Sequence, residues 1–243
     1  MDLRRSPLLN GLLYGLATVG CIVGQWKEWH LLEYLCKPLM MLVLSSWFFF
    51  NSRRVGDRFT LLIQAGLFFS LIGDVALMFQ HLDHFNFLLG LAAFLIAQLC
   101  YTLAFIHNIT TTGGAQGVIL STVISALILI YGFAFALDIQ PRLDDVMVAP
   151  VLVYAGAITL MGIAAAFRYR RTYSTSFWMV LVGALLFIAS DSLLATGRFV
   201  RPLPYGNTLV MVTYALAQFL IASGALVHVL DPESIRRKKA LTT

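Results

Sequence analysis

Asp74 and Asp191 are the only acids inside the long apolar runs of this sequence, and each stands in the same short pattern. Gly73, Asp74, Val75, Ala76 and Leu77 match Ser190, Asp191, Ser192, Leu193 and Leu194: a small residue, the acid, two further residues and a leucine. An aspartate near the centre of a membrane helix costs up to about 2.5 to 3.5 kcal/mol on insertion scales, so a pair needs compensation. One form is structural, each acid tying helices together by a hydrogen bond of about 0.6 kcal/mol. The other is chemical. Two carboxyl groups sharing a site of low dielectric do not both ionise easily, which leaves a proton donor beside an acceptor.

Other polar residues stand at spacings that could serve such a site. His81 follows Asp74 and Arg198 follows Asp191 by seven residues, two turns along the same helical face. With Lys37 and Arg201, assigned to the same side, they offer cations for an anionic head group, or they only snorkel to the interface. Gln98 and Tyr101 are three residues apart, and Tyr214 and Gln218 four apart, so each pair shares a helical face. They either line the same cavity or bond between helices. Trp26, Trp29 and Trp47 read as an interfacial belt. Cys21, Cys36 and Cys100 match no metal or redox spacing. Only His81 and His84 lie near Asp74, with His30, His107 and His228 scattered, so neither a metal nor a cofactor is expected.

The elements that must position these residues follow from composition. The 243 residues are 59% apolar and only 12% charged, with a mean hydropathy of +0.82, against about 25% charged in a soluble protein. A soluble catalytic domain is excluded, and long continuous runs exclude a β-barrel. At roughly 20 residues per span, eight runs emerge: Leu8 to Trp26, Tyr34 to Phe50, Phe59 to Gln80, Phe85 to Ile106, Gly117 to Ala136, Val146 to Phe167, Phe177 to Thr196 and Leu209 to Val229. The expected fold is an all-α integral membrane protein with eight transmembrane helices. Residues 1–243 form a single transmembrane domain, because stretches such as Asn51 to Asp57, Thr111 to Gly114 and Arg201 to Gly206 are too short for another. Thr18 to Cys21 fit a lipoprotein cleavage box poorly, so the first run is read as an uncleaved anchor. The net charge of +5 comes without a basic patch interleaved with aromatics, so no nucleic acid partner is expected.

Counting Lys and Arg on alternate sides gives 12 on one (Arg4, Arg5, Arg53, Arg54, Arg58, Arg168, Arg170, Arg171, Arg236, Arg237, Lys238, Lys239) and 5 on the other (Lys27, Lys37, Arg142, Arg198, Arg201). The richer side is expected to be cytoplasmic and to hold both termini, with Arg236 to Lys239 resting against anionic lipid. Asp74 and Asp191 are 117 residues apart, Gln98 and Gln218 120 apart, and Pro38 and Pro150 112 apart. These near-equal shifts suggest two parallel four-helix repeats, residues 1–115 and 116–243. Both acids then lie five or six residues before the outer ends of their spans, roughly 8 Å deep at 1.5 Å per residue.

Ser70 to Met78, Phe187 to Phe199, Pro202 to Gln218 and Lys37 to Leu39 together resemble the YhhN-like lysoplasmalogenase family, a resemblance that runs over essentially the whole chain. It implies a membrane hydrolase that cleaves the vinyl ether bond of a lysoplasmalogen. The products are a fatty aldehyde and glycerophosphoethanolamine or glycerophosphocholine. The family's aspartates fall on Asp74 and Asp191, its lysine before proline on Lys37, and its Tyr and Gln of the last span on Tyr214 and Gln218. Many members have His at the position of Gln98 and Asn at that of Gly197, so no acid or base role is assigned to position 98.

The chemistry fits the residues. Protonation of the vinyl ether β-carbon gives an oxocarbenium ion that water traps as a hemiacetal, which collapses to aldehyde and alcohol. A neutral carboxyl supplies the proton and an ionised one steadies the cation and orients water. The two acids are expected to share these roles as a coupled pair. A lysophospholipid substrate and membrane lipid are the expected partners, and a bacterial cell membrane the expected location. A proton-coupled small-molecule or lipid carrier is the alternative, since parallel repeats and intramembrane acids also suit transport. An intramembrane aspartyl protease is disfavoured by Leu71, which stands where such proteases carry a glycine two residues before the Gly-Asp pair.

Overall fold

The computed structural model describes residues 3–53, 55–112 and 117–230. Eight α-helices follow in order: α1 Pro7–Lys27, α2 His30–Ser52, α3 Arg58–Met78, α4 His84–Thr112, α5 Val118–Ile139, α6 Asp145–Ala166, α7 Ser174–Ala195 and α8 Gly206–Val229. All eight are long and apolar enough to cross a membrane, as the sequence predicts. Their starts carry ordinary signals: Ser6 accepts from Leu9 N ahead of Pro7, and Asp57 accepts from Thr60 N at 3.0 Å, each satisfying an amide that lacks a helical partner. Of the sequence features noted above, Arg54, Gly113 and Gly114 of the Thr111 to Gly114 stretch and the basic tail Arg236 to Lys239 lie outside the described residues.

The most extensive packing pairs α7 with α8, α3 with α4 and α1 with α2, and α4 also packs on α6. α8 additionally touches α1, α2 and α3. It is the most buried helix, 61% of its apolar window lying inside the protein, whereas α5 is the most peripheral at 17%. α8 is therefore the central post. Small residues permit its close fit: a Cβ on Gly183 of α7 would come within 3.0 Å of the Ala217 carbonyl, and one on Gly224 within 3.1 Å of the Ser176 carbonyl.

Two helix ends differ from the sequence reading in a way that matters for the site. α3 stops at Met78 rather than Gln80, because Asn86 donates to the Phe79 carbonyl at 3.0 Å and the Phe79 amide turns back to Ala76 and Leu77. His81 therefore sits in a turn, not on the helical face of Asp74. α7 ends at Ala195 and runs on as one π-helical turn, Thr196–Val200, closed by Arg201 N to Thr196 O at 3.0 Å. Its wider winding changes the register assumed for Arg198; such turns recur at functional sites. Trp26 and Trp29 are exposed, as belt residues would be, but Trp47 is buried and stacks on Phe219 with centroids 6.1 Å apart, so it is a core residue.

At the end of the bundle opposite these turns, Arg168 is fully buried although it lies between α6 and α7. It donates to Asn108 at 3.1 Å and Ser176 at 2.9 Å and lies 5.3 Å from the Phe105 ring centroid. This side chain joins α4 to α7, and Ser176 passes the link to the Gly224 carbonyl of α8 at 2.7 Å.

Candidate active site

Both aspartates face one cavity of about 440 Å3. Each lies four residues before the α-helical end of its helix, at Met78 and Ala195, about 6 Å along the axis at 1.5 Å per residue. Lys37, His30, Glu33, Gln80, His81, Asn207 and Tyr214 contribute polar groups to the same walls.

The two acids have different neighbours. Asp74 is 2% exposed; it accepts a hydrogen bond from Tyr214 Oη at 2.6 Å and has Lys37 Nζ 3.8 Å away. Behind Tyr214 a chain of hydrogen bonds continues inward. Gln218 Nε2 donates to Tyr214 Oη at 3.3 Å, and Tyr101 Oη donates to Gln218 Oε1 at 2.8 Å. Asp191 accepts from Tyr154 Oη of α6 and, among the described residues, has no cation within ion-pair distance. Gln98, fully buried, lies beside Tyr154 without closing a hydrogen bond of normal geometry. Each acid thus takes its hydrogen bond from a tyrosine on another helix.

Asp191 also borders a second space. A narrow cleft of about 80 Å3 between α4, α5, α6 and α7 is walled by Phe87, Leu91, Phe135, Val151, Ile158 and Ile188, with Tyr154 and Asp191 at its polar edge. Asp191, Leu77, Phe94 and Leu194 line both spaces. Phe94 is fixed there edge-on between Phe187 at 6.3 Å and Tyr214 at 5.8 Å. The cavity also shares Gln25, Gln80, Leu194, Asn207 and Val210 with a neighbouring polar chamber of about 560 Å3 beneath the α7–α8 connection.

Of the residues singled out from sequence, Asp74, Asp191, Lys37, His81 and Tyr214 line the acid cavity itself. Tyr101, Gln98 and Gln218 are fully buried behind it, so they support its walls and do not face its space. Arg198 lines the apolar cleft and the neighbouring chamber, not the acid cavity. It donates to Gln80 Oε1 at 2.8 Å and stands 3.7 Å over the Phe87 ring. Arg201 is exposed and lines none of the three spaces. Tyr154 was missed. The signal was available: Tyr154 follows Lys37 by 117 residues, the shift that separates the two acids, so the partner of one acid aligns with the partner of the other. Matching Pro38 to Pro150 at 112 hid it.

Fold and site together define a polytopic helical membrane protein with two aspartates facing one chamber near the C-terminal ends of α3 and α7. The model of the YhhN family matches residues 32–225, and the chain belongs to that family. It is 31% identical over 212 residues to lysoplasmalogenase TMEM86A of Bos taurus, spanning 84% of this chain and 82% of the relative. It is 33% identical over 199 residues to lysoplasmalogenase TMEM86B of Homo sapiens, spanning 82% and 76%. A lysoplasmalogenase of Mycobacterium tuberculosis is 33% identical over 147 residues, covering 57% of this chain and 50% of the relative. No solved structure matches the chain.

Proposed function

We propose that this protein is a membrane-embedded lysoplasmalogenase that hydrolyses the vinyl ether bond of lysoplasmenylethanolamine or lysoplasmenylcholine, with Asp74 and Asp191 as its acid/base pair. The observation that carries this reading is the position of both acids on one polar cavity that meets an apolar cleft at Asp191. A lysoplasmalogen has the matching shape: one apolar chain, a glycerophospho head and the reactive vinyl ether between them. The names of the relatives agree. Lys37, His81 and the adjoining Gln80 and Asn207 suit the head group, and Arg198 suits an anion reaching from the neighbouring chamber. Tyr214, Gln218 and Tyr101 hold Asp74 in place. Such pre-set hydrogen bonds spare the site reorganisation during reaction.

The parallel halves, 1–115 and 116–243, belong to the same proposal. Their support is the packing of α3 on α4 and α7 on α8, of α1 on α2 and α5 on α6, and the common shift of 117 residues for the acids and for Lys37 and Tyr154. The cytoplasmic placement of both termini rests on the charge count, and a bacterial cell membrane is the location proposed with it.

The test is fatty aldehyde release from lysoplasmenylethanolamine and lysoplasmenylcholine by the purified protein in detergent, with Asp74→Asn and Asp191→Asn alongside. Release by the wild type and its loss, by at least about a hundredfold, in both folded variants is expected. A folded wild type that releases aldehyde from neither substrate refutes the proposal and brings the proton-coupled carrier forward.

A further inference from the structure

The surroundings of the two acids are unequal, and the inequality runs in the direction of the substrate. Of the three spaces described, Asp74 borders the polar cavity alone, where an ammonium group lies 3.8 Å from its Oδ1 and a phenol donates to its Oδ2. Asp191 sits on the seam between that cavity and the apolar cleft, and the Tyr154 phenol donates to its Oδ2 as Tyr214 does to Asp74, so the difference between the acids lies in the cation and the cleft. A carboxylate facing a cation keeps its charge, whereas a carboxyl facing apolar side chains favours its neutral form. In a vinyl ether the carbon that takes the proton is the one on the chain side, and the carbon that water attacks is the one bonded to the glycerol oxygen. With the chain in the cleft and the head in the cavity, the chain-side carbon falls to Asp191 and the oxygen-bearing carbon to Asp74.

We propose, resting on the lysoplasmalogenase reading above, that Asp191 is the carboxylic acid that protonates the chain-side carbon and Asp74 is the carboxylate that activates water. The Asp191 O–H bond breaks as the new C–H bond forms from the double-bond electrons, leaving an oxocarbenium ion and an Asp191 carboxylate. Water bonds to the oxygen-bearing carbon and its proton passes to Asp74. The hemiacetal then gives its hydroxyl proton to Asp191 as the aldehyde C=O forms. The C–O bond to glycerol breaks, and the departing oxygen takes the proton held by Asp74. Both acids return to their starting states and nothing is oxidised or reduced.

The charged and titratable groups around the pair are Lys37 from α2, Tyr14 from α1, Tyr101 from α4, Tyr154 from α6 and Tyr214 from α8, with His30, Glu33, Tyr34 and His81 on the cavity wall and Tyr131 of α5 and Arg198 of the π-helical turn on the cleft wall, where Arg198 is engaged by Gln80 and the Phe87 ring. Lys37 is the cation beside Asp74, so it is the positioning residue that divides the roles.

The experiment is infrared difference spectroscopy of the full chain in detergent at neutral pH, which reads the C=O stretch of a protonated carboxyl apart from carboxylate bands, with aldehyde release measured on the same samples. The protonated band is expected to vanish in Asp191→Asn, persist in Asp74→Asn and move without vanishing in Asp191→Glu. In Lys37→Met, which strips Asp74 of its counter-ion, a second protonated band is expected. Loss of the band in Asp74→Asn, its loss in both Asn variants, or its absence from the wild type overturns the division of roles. If the wild type releases no aldehyde while the bands behave as stated, the lysoplasmalogenase reading falls and the assignment of the proton to Asp191 stands. Should Asp191→Asn fail to fold, Asp74→Asn, Lys37→Met and Asp191→Glu still decide the matter.

Discussion

Removing the Tyr214 hydroxyl isolates the support of one acid from the shape of the cavity. The ring of Tyr214 packs edge-on against Phe94 at 5.8 Å and Phe187 at 5.5 Å, and Tyr214→Phe keeps both contacts. What is lost is the 2.6 Å hydrogen bond to Asp74 Oδ2 and the acceptor for Gln218 Nε2 at 3.3 Å. Gln218 keeps the bond it accepts from Tyr101 at 2.8 Å, so the chain behind the cavity loses one link and holds the next. A hydrogen bond to a charged group contributes about 1.5 to 3 kcal/mol, and each 1.36 kcal/mol is tenfold in rate. Tyr214→Phe is therefore expected to lower kcat/KM for aldehyde release by about 10- to 150-fold, with a small change in melting temperature. Because the hydroxyl acts through Asp74, the same substitution in an Asp74→Asn background should cost less than about twofold more. A Tyr214→Phe enzyme within twofold of wild type, or an equal loss in the Asp74→Asn background, refutes the argument that this bond holds a working carboxylate.

Three further outcomes are expected. Gly73→Ala places a Cβ 2.6 Å from the ring of Phe94, which must give up its edge-on seat against Phe187 and Tyr214 to yield; a loss of about 1 to 3 kcal/mol in detergent unfolding is expected from such overpacking, with activity falling as Asp74 shifts. Ala155→Phe fills the apolar cleft, so KM for a long-chain lysoplasmalogen should rise about tenfold, equivalent to 1.4 kcal/mol, without altering the preference between head groups. Single cysteines in the Asn51 to Asp57 stretch and at Arg170 should resist a membrane-impermeant thiol reagent in intact cells, while one at Arg142 reacts, if the basic side is cytoplasmic.

The spans were legible because eight apolar runs of membrane length admit few other readings, and the two acids because a carboxyl within such a run is costly and so conspicuous. What the sequence concealed was decided by contacts between helices. A tyrosine in a membrane helix is unremarkable until its hydroxyl is found on Asp191, so Tyr154 gave no signal on its own. The end of α3 was misplaced because hydropathy continues through Phe79, whereas the helix is stopped by an amide from Asn86 on the next element. Trp47 looks like any interfacial tryptophan until Phe219 of α8 is brought against it. Arg198 was assigned to the acid cavity by α-helical spacing, and the π-helical turn that carries it turns it instead toward Gln80 and Phe87.

The pairing of Lys37 with Asp74 bears on what happens after bond cleavage. Under the proposed reaction a fatty aldehyde is released within the walls that Lys37 shares. A free amine there would condense with it to a Schiff base and tether the product to the protein. An ammonium held 3.8 Å from a carboxylate offers no lone pair for that attack. Under the same proposal, the ion pair beside Asp74 also guards the protein against modification by its own product.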